Sequence, residues 1–436
     1  MRTVELREGG LTLSQQEWVQ WIPADSPTSF EDNIWGVLPG GGVPVAQVAA
    51  AVRDVLDRHE GLRSMVDRAC RLQVAEPVGE RIDEVLRVGD TDPRRDEGWR
   101  RTCFRVGEQW PIQVVVHAVG GAARSVGVVV DHVAIDPWGL AVLRRELGQA
   151  IRARAAGRSP FAGAAPAQQP LDVAAEEAGP AGRAYQARAR EYWQGQLDRL
   201  AAALGDRPPG VRPAAKPAAA RGFRSACLLS RRAGAAASAV AERTGVPAAA
   251  LFLHAFGSAV CAAEDAPAAG LFAISANRLT GAAAGSVRKA TMTMPIVVPA
   301  AAPDLAAALA GCAAQQLHGH RYANADPAVT EAMCRDTLGD RYETGVAYPR
   351  FSYLTEASGN DTAPAWAAVT EAFGDAEDPV VTFGRPRDLG ARYMLTVSHD
   401  RRGAILDLEW SQESGWGPHA EAMLRGMEAF VVGLST

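Results

Sequence analysis

The stretch Val128-Val129-Val130-Asp131-His132-Val133-Ala134-Ile135-Asp136-Pro137-Trp138-Gly139 decides the reading of this chain. Its β-branched run predicts a strand. The strand ends at Asp131 and His132, and Asp136 and a Pro137-Trp138-Gly139 turn follow. From there Leu140, Leu143, Leu147 and Ile151 recur at helical spacing. Polar side chains at a strand's end, in the loop before a helix, sit where catalytic groups are commonly found. Histidine exchanges a proton near neutral pH and suits general-base work. A lone histidine more often caps a strand or satisfies a buried carbonyl, so the remainder of the chain has to supply context for His132.

Upstream, Ile112–His117 and Ser125–Val130 are β-branched runs on either side of Gly120-Gly121, which predicts a hairpin. Val45, Val48, Ala49, Val52, Val55 and Leu56 predict a helix from Pro44 to Arg58 that stops near Gly61. Downstream, the Ala-, Pro- and Gly-rich stretches 155–182 and 201–222 flank a short helical segment containing Tyr192-Trp193, and read as surface connection between two halves. The second half opens with a strand at Ala226–Leu229 and a helix from Pro247 to Ala263, with Pro247 in its first turn. Further strands are expected at Leu271–Ala276, Thr293–Val298, Phe351–Leu354, Tyr393–Ser398 and Ala404–Trp410, and a last helix at His419–Val432. Asp400-Arg401-Arg402-Gly403 makes a tight turn between the final two strands. Helices and strands thus mix throughout, an α/β (α+β) class.

The 436 residues, 47% of them hydrophobic, are enough for two or three units. The net charge of −5 and the lack of a basic run exclude a nucleic-acid role, since only Lys216 and Lys289 are lysines and arginine is not clustered. Abundant Ala and Arg with little Lys is the codon signature of a GC-rich bacterial genome. Cys70, Cys103, Cys227, Cys261, Cys312 and Cys334 are too far apart for a CxxC metal or redox motif and are expected to be buried free thiols. No metal site is expected. The N-terminus lacks a signal-peptide core and no run of 18 apolar residues exists, which points to a cytoplasmic protein without membrane contact.

The His132 segment resembles the HHxxxDG motif of the condensation-domain and chloramphenicol-acetyltransferase-like superfamily, and companions follow in the family's order. Leu11-Thr12-Leu13-Ser14-Gln15-Gln16-Glu17-Trp18 looks like its opening LTxxQ element. Arg58-His59-Glu60-Gly61-Leu62-Arg63-Ser64-Met65-Val66 matches RHExLRTxF. Tyr192-Trp193 with Leu197 is similar to its YW…L helix, and Ser275-Ala276-Asn277-Arg278 to a small-residue strand ending in Arg. Val287 to Val298 resembles the crossover segment VGxFVNTLPLRV, and Phe351-Ser352-Tyr353 the late strand near the active site.

The resemblance implies two acetyltransferase-like lobes in a V-shaped pseudo-dimer with a central tunnel. The lobes would be residues 1–175, carrying His132, and 176–436, carrying the crossover near 285–298. It implies acyl transfer from an acyl- or peptidyl-carrier protein to an amine or hydroxyl nucleophile in natural-product biosynthesis. The chain would need no cofactor of its own, because phosphopantetheine is on the carrier. With no adenylation or carrier segment it would be a stand-alone enzyme. His132 would be catalytic; Asp131, Asp136, Arg63 and Arg278 would support the motif, Asp136 through an ion pair with an arginine such as Arg278; and Trp138, Gly139, Met292, Thr293, Ser352 and Tyr353 would line the tunnel.

Three departures stand out. The first motif His is Asp131, the motif Gly is Pro137, and the crossover Asn is Met292 with Lys289 and Ala290 as neighbours. Asp131 and Pro137 motivate an alternative, a non-catalytic module that recruits a carrier protein or a tailoring enzyme. A third reading is an acyl-CoA-dependent acyltransferase, for which Arg321, Arg341 and Arg350 are available cations.

Overall fold

A computed structural model describes residues 6–20, 22, 26–79, 81–205, 223–301, 304–339, 342, 349–355, 380–383, 393–400, 402–411 and 417–435. Most of the second connecting stretch, 206–222, and Arg341 and Arg401 lie outside these residues. The chain divides into two compact units, Met1–Ala184 with Asn277–Thr291, and Tyr185–Ala276 with Met292–Thr436. The expected boundary at 175/176 is thus replaced by one after Ala184. The crossover segment is divided too: its first part returns to the unit that carries His132, and only its strand stays with the second.

In the first unit, β1 (Arg7–Gly10), β4 (Leu72–Ala75) and β3 (Ser64–Asp67) form a small sheet in the order β1-β4-β3. A second sheet has the order β2-β7-β6-β5, from β2 (Ile34–Pro39), β5 (Leu86–Gly89), β6 (Ile112–Val119) and β7 (Ala122–Val130). The β6–β7 hairpin turns on Gly120 and Gly121, both at positive φ, which only glycine adopts freely. Helices of at least seven residues are α1 (Leu13–Val19), α2 (Val45–Arg58), α3 (Pro137–Ala155) and α4 (Pro170–Ala178). Strand β7 lies inside the sheet, and Ser125 to Val130 is buried on both faces. That is why its sequence is a continuous apolar run with no polar alternation. At Gly127 an added Cβ would meet the Trp99 ring at 3.2 Å, so the covering layer there sits directly on backbone.

In the second unit one sheet runs β10-β9-β11-β13-β14-β8-β12. Its strands are β8 (Phe223–Ser230), β9 (Ala268–Ser275), β10 (Met292–Pro299), β11 (Arg350–Thr355), β12 (Val380–Phe383), β13 (Tyr393–Asp400) and β14 (Gly403–Ser411). Among the described strands of this sheet only β11 pairs in parallel, with β9 and β13. The helices are α5 (Pro180–Leu204), α6 (Arg231–Thr244), α7 (Ala248–Glu264), α8 (Leu305–Tyr322), α9 (Pro327–Leu338) and α10 (Ala420–Gly433). Helix α7 is the core element: Leu251, Phe252, Leu253 and Phe256 are fully buried around its circumference.

The expected strands are all present within a few residues. The 155–182 stretch is not simple connection, because it contains α4 and the start of α5. The short Tyr192-Trp193 segment is a 25-residue helix. Alanine-rich sequence is strongly helix-forming, which outweighs the loop character suggested by composition. Pro247 precedes α7 as its N-cap. Cys261, Cys312 and Cys334 are buried, but Cys70 and Cys103 are exposed, so not all the thiols are shielded. Among the described residues no single helix is long and apolar enough to cross a membrane.

Helix α6 lies so close to the β13–β14 connection that a Cβ at Gly234 would come within 2.3 Å of the Gly403 backbone. Gly234→Ala is therefore expected to lower stability by about 1–3 kcal/mol, read as a lower denaturant midpoint.

Candidate active site

The site grows from the end of β7. Beyond Val130 the chain leaves the sheet, and Asp131 fixes the exit: its amide donates to the Pro111 carbonyl at 2.8 Å, and its carboxylate accepts from the Val133 amide at 2.7 Å. Burial pushes this carboxyl up, opposed by the Thr28 side chain, the Val133 amide and nearby Arg68. These partners do not include His132. Asp131 is a loop anchor, with partners separate from that of His132.

Asp136 begins α3 as its N-cap, accepting from the Gly139 amide at 2.7 Å. Pro137 occupies the first turn, where a missing N–H leaves no helical hydrogen bond unmade. The substitution of proline for the motif glycine thus fits the helix start. The same Asp136 carboxylate accepts from Arg278 Nη2 at 2.7 Å and from the amides of Ala290 and Thr291 at 2.8 and 3.1 Å. Both partners of this ion pair are essentially inaccessible, with side chains 1% and 0% exposed. Burial works against the charge of Asp136, but Arg278 and the amide donors outweigh it and hold the carboxyl below its ordinary range.

Arg278 also donates to the carbonyls of Ala283, Ser286 and Arg288 at 2.6, 3.0 and 2.8 Å, folding 278–288 around itself. Trp138 covers this segment, with its indole donating to the Ala284 carbonyl at 2.9 Å and its ring 5.9 Å from the Arg278 guanidinium. Gly139 lets the two strips of chain meet, since a Cβ there would lie 3.0 Å from the Arg288 carbonyl oxygen.

His132 stands between these anchors. Its Nδ1 is 2.6 Å from the Ile135 carbonyl oxygen. A carbonyl only accepts, so Nδ1 carries the hydrogen and, in the neutral ring, Nε2 presents a lone pair. Burial and the Lys289 ammonium lower the imidazole from 6.5 to about 4, against the Ile135 carbonyl, Asp136 and Glu17, which raise it. At neutral pH the ring is a neutral base of fixed tautomer.

Helix α1 supplies the other wall. Thr12 and Gln15 close a reciprocal capping box at its start. Ser14, Glu17 and Trp18 share one face by their spacing. Ser14 Oγ donates to the Lys289 carbonyl at 2.9 Å, the Glu17 carboxylate lies 3.6 Å from Lys289 Nζ, and the Trp18 ring meets the His132 imidazole edge-on at 4.6 Å between centroids. Lys289 is itself buried and donates to the Thr291 carbonyl at 2.8 Å.

Of the residues singled out in the sequence, His132, Asp136, Trp138, Gly139 and Arg278 come together here. Asp131 braces the loop through Pro111 and Val133. Arg63 stands apart: its partners are the carbonyls of Leu56 and Glu76, so it ties α2 to the region after β4. Arg58 and His59 grip Glu146 of α3 at 3.0 and 2.6 Å, which secures the helix behind the motif. Met292 and Thr293 open β10, and Ser352 and Tyr353 lie on β11, all in the second unit. There Tyr353 Oη is 2.6 Å from His399 Nδ1. Glu17 and Trp18 went unassigned in the sequence, although their helical spacing from Ser14 marks a common face. Among the described residues no group of three or more His, Cys, Asp or Glu is placed to hold a metal ion.

No family model matches the chain. In sequence it is similar to cyclosporin synthetase simA of Tolypocladium inflatum, 28% identical over 182 residues, which is 38% of this chain and 1% of that synthetase. In structure it is similar to a condensation domain that mediates chain release from the enacyloxin polyketide synthase. That match has a TM-score of 0.69 at 17% identity and covers 99% of this chain and 83% of the other. It is also similar to the structure of the teicoplanin-biosynthesis X-domain in complex with OxyB, with a TM-score of 0.66 at 16% identity over 98% of this chain and 93% of the other. The chain therefore has the condensation-domain fold of peptide and polyketide synthases, an α/β fold with acetyltransferase-like lobes.

Two outcomes follow from the electrostatics. Asp136→Ala leaves Arg278 charged and buried without its carboxylate, and is expected to cost about 3–5 kcal/mol in a denaturant titration. Lys289→Met removes the cation that disfavours imidazolium, while Asp136 and Glu17 remain. The His132 ring proton resonance should then titrate above 4 and nearer 6.5. An unmoved titration would show that the Lys289 ammonium does not set the value.

Proposed function

We propose that the chain is a condensation-type acyltransferase that moves an acyl or aminoacyl group from a carrier-protein thioester to an amine or hydroxyl, with His132 as general base. The observation that supports this most directly is the locked tautomer: Nδ1–H is committed to Ile135, and Nε2 is left as the proton acceptor of a neutral ring. The attacking N–H or O–H gives its proton to Nε2 as the nucleophile bonds to the thioester carbon. Collapse of the tetrahedral adduct breaks the C–S bond, and the departing thiolate recovers the proton. Holding both reactants against one base makes the step effectively unimolecular. The phosphopantetheine thiol belongs to the carrier.

The test loads candidate carriers with acyl groups and follows acyl loss and product by intact mass spectrometry, with amines and alcohols as acceptors. His132→Ala is expected to reduce turnover by about 10²–10⁴-fold with carrier binding retained. Unchanged turnover in that variant would remove His132 from the reaction. Faster turnover with soluble acyl-CoA than with acyl-carrier would move the donor assignment to CoA.

A second reading, recruitment of a partner without catalysis, draws on the likeness to an X-domain found in complex with OxyB. Carrier or enzyme binding without any acyl release, equal in wild type and His132→Ala, would favour it.

A further inference from the structure

We infer that Trp18 is a second catalytic residue of the acyl-transfer site, its indole N–H being the donor to the oxyanion that forms beside His132. The inference rests on the general-base reading of His132 and deepens it. Three other indoles of the first unit are satisfied by the protein: Trp99 donates to Pro93, Trp110 to Glu76 and Trp138 to Ala284, at 3.0, 3.0 and 2.9 Å. Trp18 Nε1 is buried and has no hydrogen-bond partner among the described residues. Leaving such a donor unmade costs about 1–3 kcal/mol, so an acceptor brought to it by a substrate would be favoured. Trp193 Nε1 is also without one, but its ring lies in a hydrophobic cluster with Phe272 in the second unit. Trp18 differs because its ring lies against the base, 4.6 Å from the imidazole at 63°.

Its placement is fixed. The capping box holds the start of α1, and Ser14 and Glu17 tie the same helix face to Lys289. An indole has only two side-chain torsions, so little freedom remains for it to lose on meeting a substrate. The chemistry specifies what it meets. The atom that gives its proton to His132 Nε2 bonds to the thioester carbon, and the oxygen on that carbon takes the negative charge. That oxygen is therefore within a few bond lengths of Nε2. A neutral, prearranged N–H in a site shielded from water stabilises such a charge without adding a cation that would oppose imidazolium formation.

The decisive variant is Trp18→Phe, which keeps an aromatic ring and removes the N–H. Its kcat for acyl transfer from loaded carrier is expected to fall about 10²-fold, with KM within about twofold and an unchanged unfolding transition. A kcat equal to wild type, while His132→Ala is inactive, would overturn the assignment of Trp18 and leave the base intact. Absence of turnover in wild type would overturn both. Should Trp18→Phe fold poorly, the wild-type protein gives an independent reading. With ¹⁵N-tryptophan, the Trp18 indole proton should move downfield when carrier bearing an amide-linked, unreactive acyl group binds. No movement on saturation would overturn the assignment.

Discussion

The buried pair between Asp136 and Arg278 is the constraint on which the site depends. One carboxylate starts α3, neutralises the guanidinium and holds the amides of Ala290 and Thr291. Arg278 in turn gathers the carbonyls of 283, 286 and 288. Burying two charges costs several kcal/mol per ion, and such pairs often add little net stability. What this pair supplies is register. It sets the loop that carries His132 against a segment more than a hundred residues away in sequence, and Gly139 has the absence of side chain that the approach requires.

With that register fixed, the imidazole of His132 acquires its properties from its neighbours. The Ile135 carbonyl fixes the tautomer. Charges near the ring come in pairs, Asp136 with Arg278 and Glu17 with Lys289, so the field at the imidazole is a difference between close opposites. Burial then dominates and keeps the ring neutral. A weak base of this kind transfers a proton efficiently only if the negative charge formed at the same moment is itself stabilised, which links the tuning of His132 to the donors around it.

Much of this was legible in the sequence. The valine runs of β6 and β7 announce strands, and His132, Asp136 and Arg278 stand at positions that resemble the condensation-domain pattern. Helix α4 and the full length of α5 were not legible, because their Ala, Gly and Pro content reads as connection while alanine favours helix. Nor did the sequence show that 277–291 returns to the first unit. That placement rests on long-range contacts of Asp136, Trp138, Ser14 and Glu17 with this segment, which have no local signature. The same holds for Glu17 and Trp18: helical spacing puts them on one face with Ser14, but only the folded chain reveals that the face meets Lys289 and His132.

The two motif substitutions gain a physical account. A carboxylate in place of the first motif histidine is tolerable because Asp131 accepts from the Val133 amide and the Thr28 side chain and makes no demand on His132. Proline in place of the motif glycine is tolerable because the first turn of α3 needs no N–H there. Neither change disturbs the tautomer or the ion pair. The departure with electrostatic consequence lies instead in the crossover segment, where Lys289 brings a buried cation to the base and Glu17 on α1 opposes it. The buried ammonium compensated by a carboxylate on another element, and the neutral imidazole held in one tautomer, are the electrostatic setting that the proposed general base requires.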